Sequence, residues 1–215
     1  TFIVPKFIVN ADGTLGARNP VTCSAIEHKM GIRGSATCVM QFDEAVGEII
    51  GKPNEGIGNM FKMMNLARIM VGFQGLTCAE LAYQNALIYA KDRKQGKTTQ
   101  GNTAIVDHAD VRRMLLSIKS QLEAGRVMAY EIAKNVDLMR HHPDATVRKE
   151  AMMWVELVTP IVKAYLTDFG VEAASTAIQV YGGHGFIEEH GVAQIYRDAK
   201  ICALYEGTNG VQSMD

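Results

Sequence analysis

The pattern of hydrophobic and polar residues changes once along the chain, near residue 58. Before that point, a turn signal at residues 10–13 and four short β-like apolar runs occur, the runs at 2–4, 7–9, 38–42 and 48–50. After that point, apolar residues recur every three or four positions, which is the spacing of amphipathic helices. The sequence therefore predicts a β-rich piece of about 50 residues followed by a helical region.

The helical region begins with two long helices. Residues 59–94 are predicted to form one helix that is apolar on more than one side and therefore enclosed by neighbours. The second helix has the clearest apolar stripe, whose members lie alternately four and three residues apart: Val111, Leu115, Ile118, Leu122, Gly125, Ala129, Ile132, Val136 and Met139. This spacing is typical of a helix that packs lengthwise in a bundle.

Breaks in the periodicity separate the remaining helices. A His-His-Pro-Asp segment ends the second helix and places Asp144 as the N-cap of the third. The apolar stripe then restarts at Val147, Ala151, Trp154, Val158, Ile161 and Tyr165. Pro160 is expected to kink or divide this helix, and a further alanine-rich helix is predicted near 171–181, ending at Gly182 and Gly183. A shorter helix is predicted at 192–204.

Composition agrees with a mainly α protein. Of the 215 residues, 47% are hydrophobic, 7% are aromatic and 12 are Met, which favours a methionine-rich helical interior over a β-sandwich. The predicted fold is an antiparallel bundle of four or more helices behind a small β-rich piece. The two parts are assigned to residues 1–56 and 57–215.

Charge and cysteine usage exclude several classes of function. The 22 basic and 23 acidic residues leave a formal net charge of −1, so neither a nucleic-acid surface nor a polybasic membrane surface has support. No apolar run approaches the roughly 18 residues that span a bilayer. The four cysteines lack metal-binding spacing, which indicates reduced thiols in a cytoplasmic protein.

Glu206 is the first candidate for chemistry. It is the only charged residue between Lys200 and Asp215, and Gly207 follows it directly. Burial raises the pKa of such a carboxyl group toward the range of a general base, and the glycine lets a substrate come close. A surface glutamate near a helix start, where the helix dipole favours an acid, is the other interpretation, and spacing alone favours it.

A glycine-rich turn and two arginines are the other candidates. Residues 179–186 read Gln-Val-Tyr-Gly-Gly-His-Gly-Phe, and exposed N–H groups in such a turn either hold a phosphate or simply end a helix. Arg93 lies at the end of the first long helix, where a cation is expected without any ligand. Arg68 lies inside that helix among apolar residues, and a buried guanidinium needs an anion from the protein or from a ligand.

Taken in order, these motifs resemble those of the acyl-CoA dehydrogenases, flavoproteins that desaturate acyl thioesters. The segments that carry the resemblance are 179–186, Tyr-Arg-Asp-Ala-Lys at 196–200 and Tyr-Glu-Gly-Thr at 205–208. By the same resemblance, residues 1–56 are the end of the family's middle β-domain, and 57–215 are a truncated C-terminal bundle. The chain is most similar to the larger branch that includes 3-methylmercaptopropionyl-CoA dehydrogenase, whose members are cytoplasmic bacterial enzymes.

The resemblance implies FAD-dependent oxidation of an acyl-CoA thioester to the trans-2-enoyl-CoA. Glu206 matches the family's catalytic base, which removes the α-proton while the β-hydrogen leaves as hydride to the flavin. The FAD contacts of the family correspond to Arg93, Gln95, Gln179, Gly182, Gly183, Thr208 and Gly210. Arg93 and residues 179–183 would contact the dinucleotide of a neighbouring subunit. The substrate contacts correspond to Asn65, Arg68, Tyr205 and Gly207.

The resemblance also implies a homodimer or homotetramer, with electron-transfer flavoprotein as the electron acceptor. Asn65 stands where many members have an aspartate for the CoA arm, and the family's Arg-x-x-Phe-Gly is shortened at 93–96, without its aromatic flavin contact. The N-terminal helical domain and most of the middle β-domain lie outside the sequence. We therefore expect the chain to be a piece of an enzyme that is inactive alone.

Two alternatives differ from this prediction in function. A non-catalytic helical oligomerisation or scaffold module would keep the bundle, but it has no need for Arg68 together with residues 205–208. An acyl-CoA oxidase would keep the flavin and pass its electrons to oxygen, which depends on solvent access to the flavin.

Overall fold

Six short strands lie in the N-terminal part of this computed structural model, which describes all 215 residues. The strands are β1 (Phe2–Ile3), β2 (Phe7–Val9), β3 (Leu15–Arg18), β4 (Val21–Ile26), β5 (Cys38–Phe42) and β6 (Glu48–Ile49). They pair antiparallel in three separate ladders, β1 with β6, β2 with β3, and β4 with β5. The four predicted runs all contain strands. β3 and β4 were not predicted, because glycine, alanine and small polar residues interrupt their apolar pattern.

Five helices follow, and they confirm the predicted mainly α bundle. They are α1 (Gly56–Asp92), α2 (Ala109–His141), α3 (Ala145–Tyr181), α4 (Val192–Lys200) and α5 (Asn209–Gln212), with short 3₁₀ turns between them. The chain divides into two compact units, Thr1–Met64 and Asn65–Asp215, so the predicted boundary at residue 56 stays a prediction. No helix combines the length and the apolar character that crossing a membrane requires.

The predicted apolar stripe of α2 is confirmed. All nine of its positions are buried or half-buried, and Ile118, Leu122 and Ile132 are almost completely enclosed. Their partners come from α1 and α3, which share hydrophobic clusters with α2. A helix with one apolar face can place that face toward the core in only one way, so its pattern determines its packing.

The predicted division of α3 into two helices was wrong. The helix continues through Pro160, and no separate helix begins near residue 171. Four of the six predicted stripe positions are buried or half-buried, whereas Ile161 and Tyr165 are exposed and the buried side continues at Val162 and Leu166. Proline costs a helix about 3 kcal/mol through one lost hydrogen bond and a steric clash, and burial on both sides of Pro160 offsets that cost.

Small residues bring α1 and α3 into backbone contact. A Cβ atom on Gly75 would lie 2.4 Å from the carbonyl oxygen of Leu166, and one on Gly170 would lie 2.6 Å from the carbonyl oxygen of Gly75. The covered face of α1 continues through alanines: Ala79, Ala82, Ala86 and Ala90. Other faces of α1 expose large residues such as Met70 and Leu81, so the chain itself does not enclose this helix as predicted.

Asp144 caps α3 as the sequence predicts. Its side chain accepts a hydrogen bond from the backbone N–H of Thr146 at 2.7 Å. We expect Asp144→Ala in the full-length protein to lower the free energy of unfolding by about 1 kcal/mol, because a free helix N–H loses its acceptor. Urea denaturation measures this loss. The exposed Asp137→Ala on α2 is the control, and equal losses in both variants would contradict a capping role.

Candidate active site and cofactor groove

Glu206 lies in a loop between α4 and α5 with an uncommon backbone. Its φ is +56°, and the φ of Gly207 is +85°, so two consecutive residues adopt the left-handed region. For a residue with a Cβ atom this costs roughly 1–3 kcal/mol, and such strain persists only where surrounding contacts impose it. The positive φ of Gly207 favours glycine, and a Cβ atom there would lie 2.8 Å from Nε2 of Gln212, whose side chain would have to shift.

Contacts on both sides of Glu206 hold the loop. Tyr205 donates its hydroxyl hydrogen to Oε1 of Gln74 on α1, and burial is the main cause of its raised pKa. On the other side, Thr208 caps α5 by accepting from the N–H of Val211 at 3.3 Å. The half-buried Glu206 side chain itself makes no hydrogen bond or salt bridge within the chain. Its carboxylate is therefore available to a ligand.

Lys163 of α3 contacts the Glu206 loop, which the sequence did not predict. Its side chain is fully buried, and Nζ donates to the carbonyl oxygen of Gly207 at 2.7 Å and to Oδ1 of Asn209 at 2.9 Å. Burial lowers the pKa of Lys163, while the nearby carboxylates of Asp168 and Glu206 act in the opposite direction. The available signal was a lone charge within the otherwise uncharged, largely apolar stretch 157–167.

Arg68 lies beside the same loop and is 9% exposed. Its Nη1 donates to Oδ2 of Asp215 at 2.6 Å, so the protein itself supplies one anion. Its Nε is buried without a hydrogen-bond partner, and Nη2 lies 3.6 Å from the point where a Cβ atom on Gly207 would sit. Asn65 is exposed one helical turn earlier, and its side chain makes no hydrogen bond within the chain.

A groove of about 400 Å³ at the other end of α1 brings together four of the predicted FAD-binding residues: Arg93, Gln95, Gln179 and Gly182. Arg93 lies just beyond α1, and its guanidinium group makes no hydrogen bond or salt bridge within the chain. Nearby, the ring Nε2 of His108 contacts the carbonyl oxygen of Gln95 at 2.9 Å. A Cβ atom on Gly182 or Gly183 would meet nothing within 4 Å, so the turn after α3 is open to a ligand.

The predicted site residues thus form two separate groups within one chain. Thr208 and Gly210 lie with the Glu206 loop, whereas the other predicted FAD contacts lie at the groove. At 1.5 Å of rise per residue, Arg68 and Asp92 on α1 are about 36 Å apart. One chain therefore presents a loop with an unpaired carboxylate at one end of α1 and a groove with an unpaired guanidinium at the other.

Both groups of predicted site residues lie in a part of the chain that matches a known protein family. Residues 54–215 match the family model described as the C-terminal domain of acyl-CoA dehydrogenase. The chain belongs to the acyl-CoA dehydrogenase family. The resemblance predicted from residues 179–208 is confirmed.

Individual acyl-CoA dehydrogenase relatives extend beyond this chain. The 3-methylmercaptopropionyl-CoA dehydrogenase of Ruegeria pomeroyi is 45% identical over 100% of this chain and 37% of its own length. Subunit CarC of the caffeyl-CoA reductase–Etf complex of Acetobacterium woodii is 34% identical over 87% of this chain and 46% of its own length. The solved structure of butyryl-CoA dehydrogenase from Megasphaera elsdenii has a TM-score of 0.78 and 29% identity, over 91% of this chain and 48% of its own. The chain therefore spans less than half of each relative.

Proposed function

We propose that the full-length protein is an FAD-dependent acyl-CoA dehydrogenase, and that this chain carries its catalytic base, Glu206. The observation that supports the proposal is the unpaired Glu206 carboxylate on a strained loop that neighbouring contacts hold in place. A solvated surface glutamate would need no such backbone. A general base needs a carboxylate at a defined place and free of other partners.

The reaction removes two hydrogens from neighbouring carbons. Glu206 accepts the α-proton of the acyl thioester. Bound FAD would supply the acceptor for the hydride that leaves the β-carbon as the carbon–carbon double bond forms. No backbone hydrogen bond uses the N–H of Glu206, so this N–H is available to the thioester carbonyl oxygen. A hydrogen bond there stabilises negative charge that develops on that oxygen when the α-proton leaves.

The substrate would enter beside Arg68. The exposed side chain of Asn65 offers hydrogen bonds to the polar arm of an acyl-CoA, and the Arg68 guanidinium lies one helical turn further along α1. Tyr205 and Gly207 flank Glu206, and the absence of a side chain at Gly207 leaves room for the acyl group.

The groove fits the pyrophosphate part of FAD. Arg93 offers an unpaired guanidinium group, which forms strong charge-assisted hydrogen bonds to phosphate. Gln95 and Gln179 add amide groups, and the open turn at Gly182 and Gly183 exposes backbone N–H groups. Because the groove and the Glu206 loop lie beside opposite ends of the Arg68–Asp92 part of α1, we propose that the groove holds FAD of a neighbouring subunit in a homo-oligomer. Thr208 and Gly210 would contact the FAD at the Glu206 loop.

The visible spectrum of the full-length protein tests this function. We expect a flavin spectrum that an acyl-CoA panel bleaches without oxygen, and a product two hydrogens lighter than the substrate. Reoxidation by electron-transfer flavoprotein rather than by oxygen identifies a dehydrogenase and excludes an oxidase. A colourless protein that does not bind added FAD would contradict the proposal and favour a scaffold.

Arg93→Ala in the full-length enzyme tests the groove separately. We expect FAD to be retained less tightly by roughly 1.5–3 kcal/mol, because a charge-assisted hydrogen bond to phosphate is lost. Excess FAD should restore activity. Equilibrium dialysis measures the change, with Arg113→Ala as a control, since Arg113 pairs with Asp110 on the exposed face of α2. Unchanged FAD retention together with a lower melting temperature would show that Arg93 is only a helix-end cation.

A further inference from the structure

The buried ammonium group of Lys163 has an uncommon set of partners. Lys163 is the largest fully buried side chain, and its two hydrogen-bond acceptors, the Gly207 carbonyl and the Asn209 side-chain amide, are both uncharged. Burying a charge without a directly paired opposite charge is costly, so a purely packing role would favour an apolar residue here. The partners suggest another role, because both lie in the segment that follows Glu206.

Asn209 connects the Lys163 ammonium group to the rest of α3. While its Oδ1 accepts from Lys163, its Nδ2 donates to Oδ1 of Asp168 at 2.7 Å and to Oγ1 of Thr167 at 3.1 Å. Thr167 in turn donates to the carbonyl oxygen of Lys163 at 2.7 Å. α3 therefore holds the loop at two points, the backbone of Gly207 and the side chain of Asn209.

We propose that Lys163 is a positioning residue for Glu206. By holding the Gly207 carbonyl, the ammonium group maintains the left-handed conformation of Glu206 and Gly207, and so directs the carboxylate toward the substrate α-carbon. This inference rests on the proposed function. It gives a role in the reaction to Lys163, a residue that lies outside the motifs at 179–208.

The test compares two variants of buried α3 residues in the full-length, FAD-loaded enzyme. Lys163→Met keeps the length of the side chain and removes both hydrogen bonds to the loop. Thr159→Val is the matched control, because the buried Thr159 hydroxyl donates only to the carbonyl oxygen of Val155 in its own helix. Three quantities are measured: amide hydrogen exchange in residues 204–212, the rate of flavin reduction by an acyl-CoA in a single turnover, and the dissociation constant of that acyl-CoA.

For Lys163→Met we expect faster amide exchange in the loop, flavin reduction slowed by about 10- to 100-fold, and acyl-CoA affinity within about threefold of wild type. Thr159→Val should change none of the three. If Lys163→Met does not fold, Asn209→Ala removes the second attachment point and should show the same pattern with a smaller effect.

Three results would overturn the inference. In the first, Lys163→Met reduces its flavin at the wild-type rate. In the second, Thr159→Val slows flavin reduction as much as Lys163→Met does. In the third, Lys163→Met weakens acyl-CoA binding but leaves the rate of flavin reduction unchanged. Glu206→Gln separates these results from failure of the proposed function. If Glu206→Gln reduces its flavin at nearly the wild-type rate, the proposed base is wrong. If Glu206→Gln is inactive and Lys163→Met is normal, only the role of Lys163 is wrong.

Discussion

Glu206→Gln in the full-length enzyme is expected to lower kcat by at least about 10²- to 10⁴-fold, the usual contribution of a positioned general base. Glutamine keeps the size of the side chain and its capacity for hydrogen bonds, but its amide cannot accept the α-proton. The loop backbone should be unchanged, because its attachments through Lys163 and Tyr205 do not use the Glu206 carboxylate. FAD content and acyl-CoA affinity should therefore stay near wild type.

Steady-state kinetics distinguishes this role from substrate binding. Loss of an interaction made only in the transition state lowers kcat and kcat/KM together, whereas loss of uniform binding raises KM. The exposed Glu172→Gln on α3 is the control and should be neutral. A raised KM with unchanged kcat would make Glu206 a binding residue and contradict its role as the base.

Gly75→Ala should damage the bundle strongly, lowering the free energy of unfolding by about 3 kcal/mol. The added Cβ atom would lie 2.4 Å from the carbonyl oxygen of Leu166 and 2.7 Å from Cα of Thr167. Both are backbone atoms, which cannot rotate away, so α1 and α3 must separate. The Glu206 loop is attached to both helices and should loosen as well.

Gly58→Ala is the matched control for Gly75→Ala, because a Cβ atom at Gly58 on the same helix would meet nothing within 4 Å. It should be neutral or slightly stabilising, since alanine favours helix more than glycine does. Thermal unfolding of the two full-length variants gives the comparison. Equal melting temperatures would show that the close approach of α1 and α3 is not a requirement of the fold.

The sequence predicted elements best where one face alone is apolar. The stripe of α2 determined its buried side, because the opposite side is mostly polar, with Leu116 and Val127 as exposed exceptions. α3 is apolar on several sides, so periodicity alone could not select the face that approaches Gly75. Pro160 does not divide α3, because the rule for proline describes its local cost, and the burial that offsets this cost is a tertiary property.

The candidate site was predictable in its motifs but not in its geometry. Motifs at 179–186 and 205–208 identified the family, yet spacing does not reveal that Arg93 and Gln179 line one groove. Nor does it reveal the left-handed backbone of Glu206, whose loop is contacted by α1 and α3. Lys163 lies 43 residues before Glu206 in the sequence, and only folding brings its ammonium group to the loop.

The most direct test of the base assignment is flavin reduction in a single turnover without oxygen. Wild-type full-length enzyme and Glu206→Gln, both loaded with FAD, are mixed with the same saturating acyl-CoA while flavin absorbance is recorded. We predict rapid bleaching in wild type and a rate at least about 100-fold lower in the variant. Bleaching of Glu206→Gln within about tenfold of the wild-type rate would mean that another group removes the α-proton, and it would contradict the account.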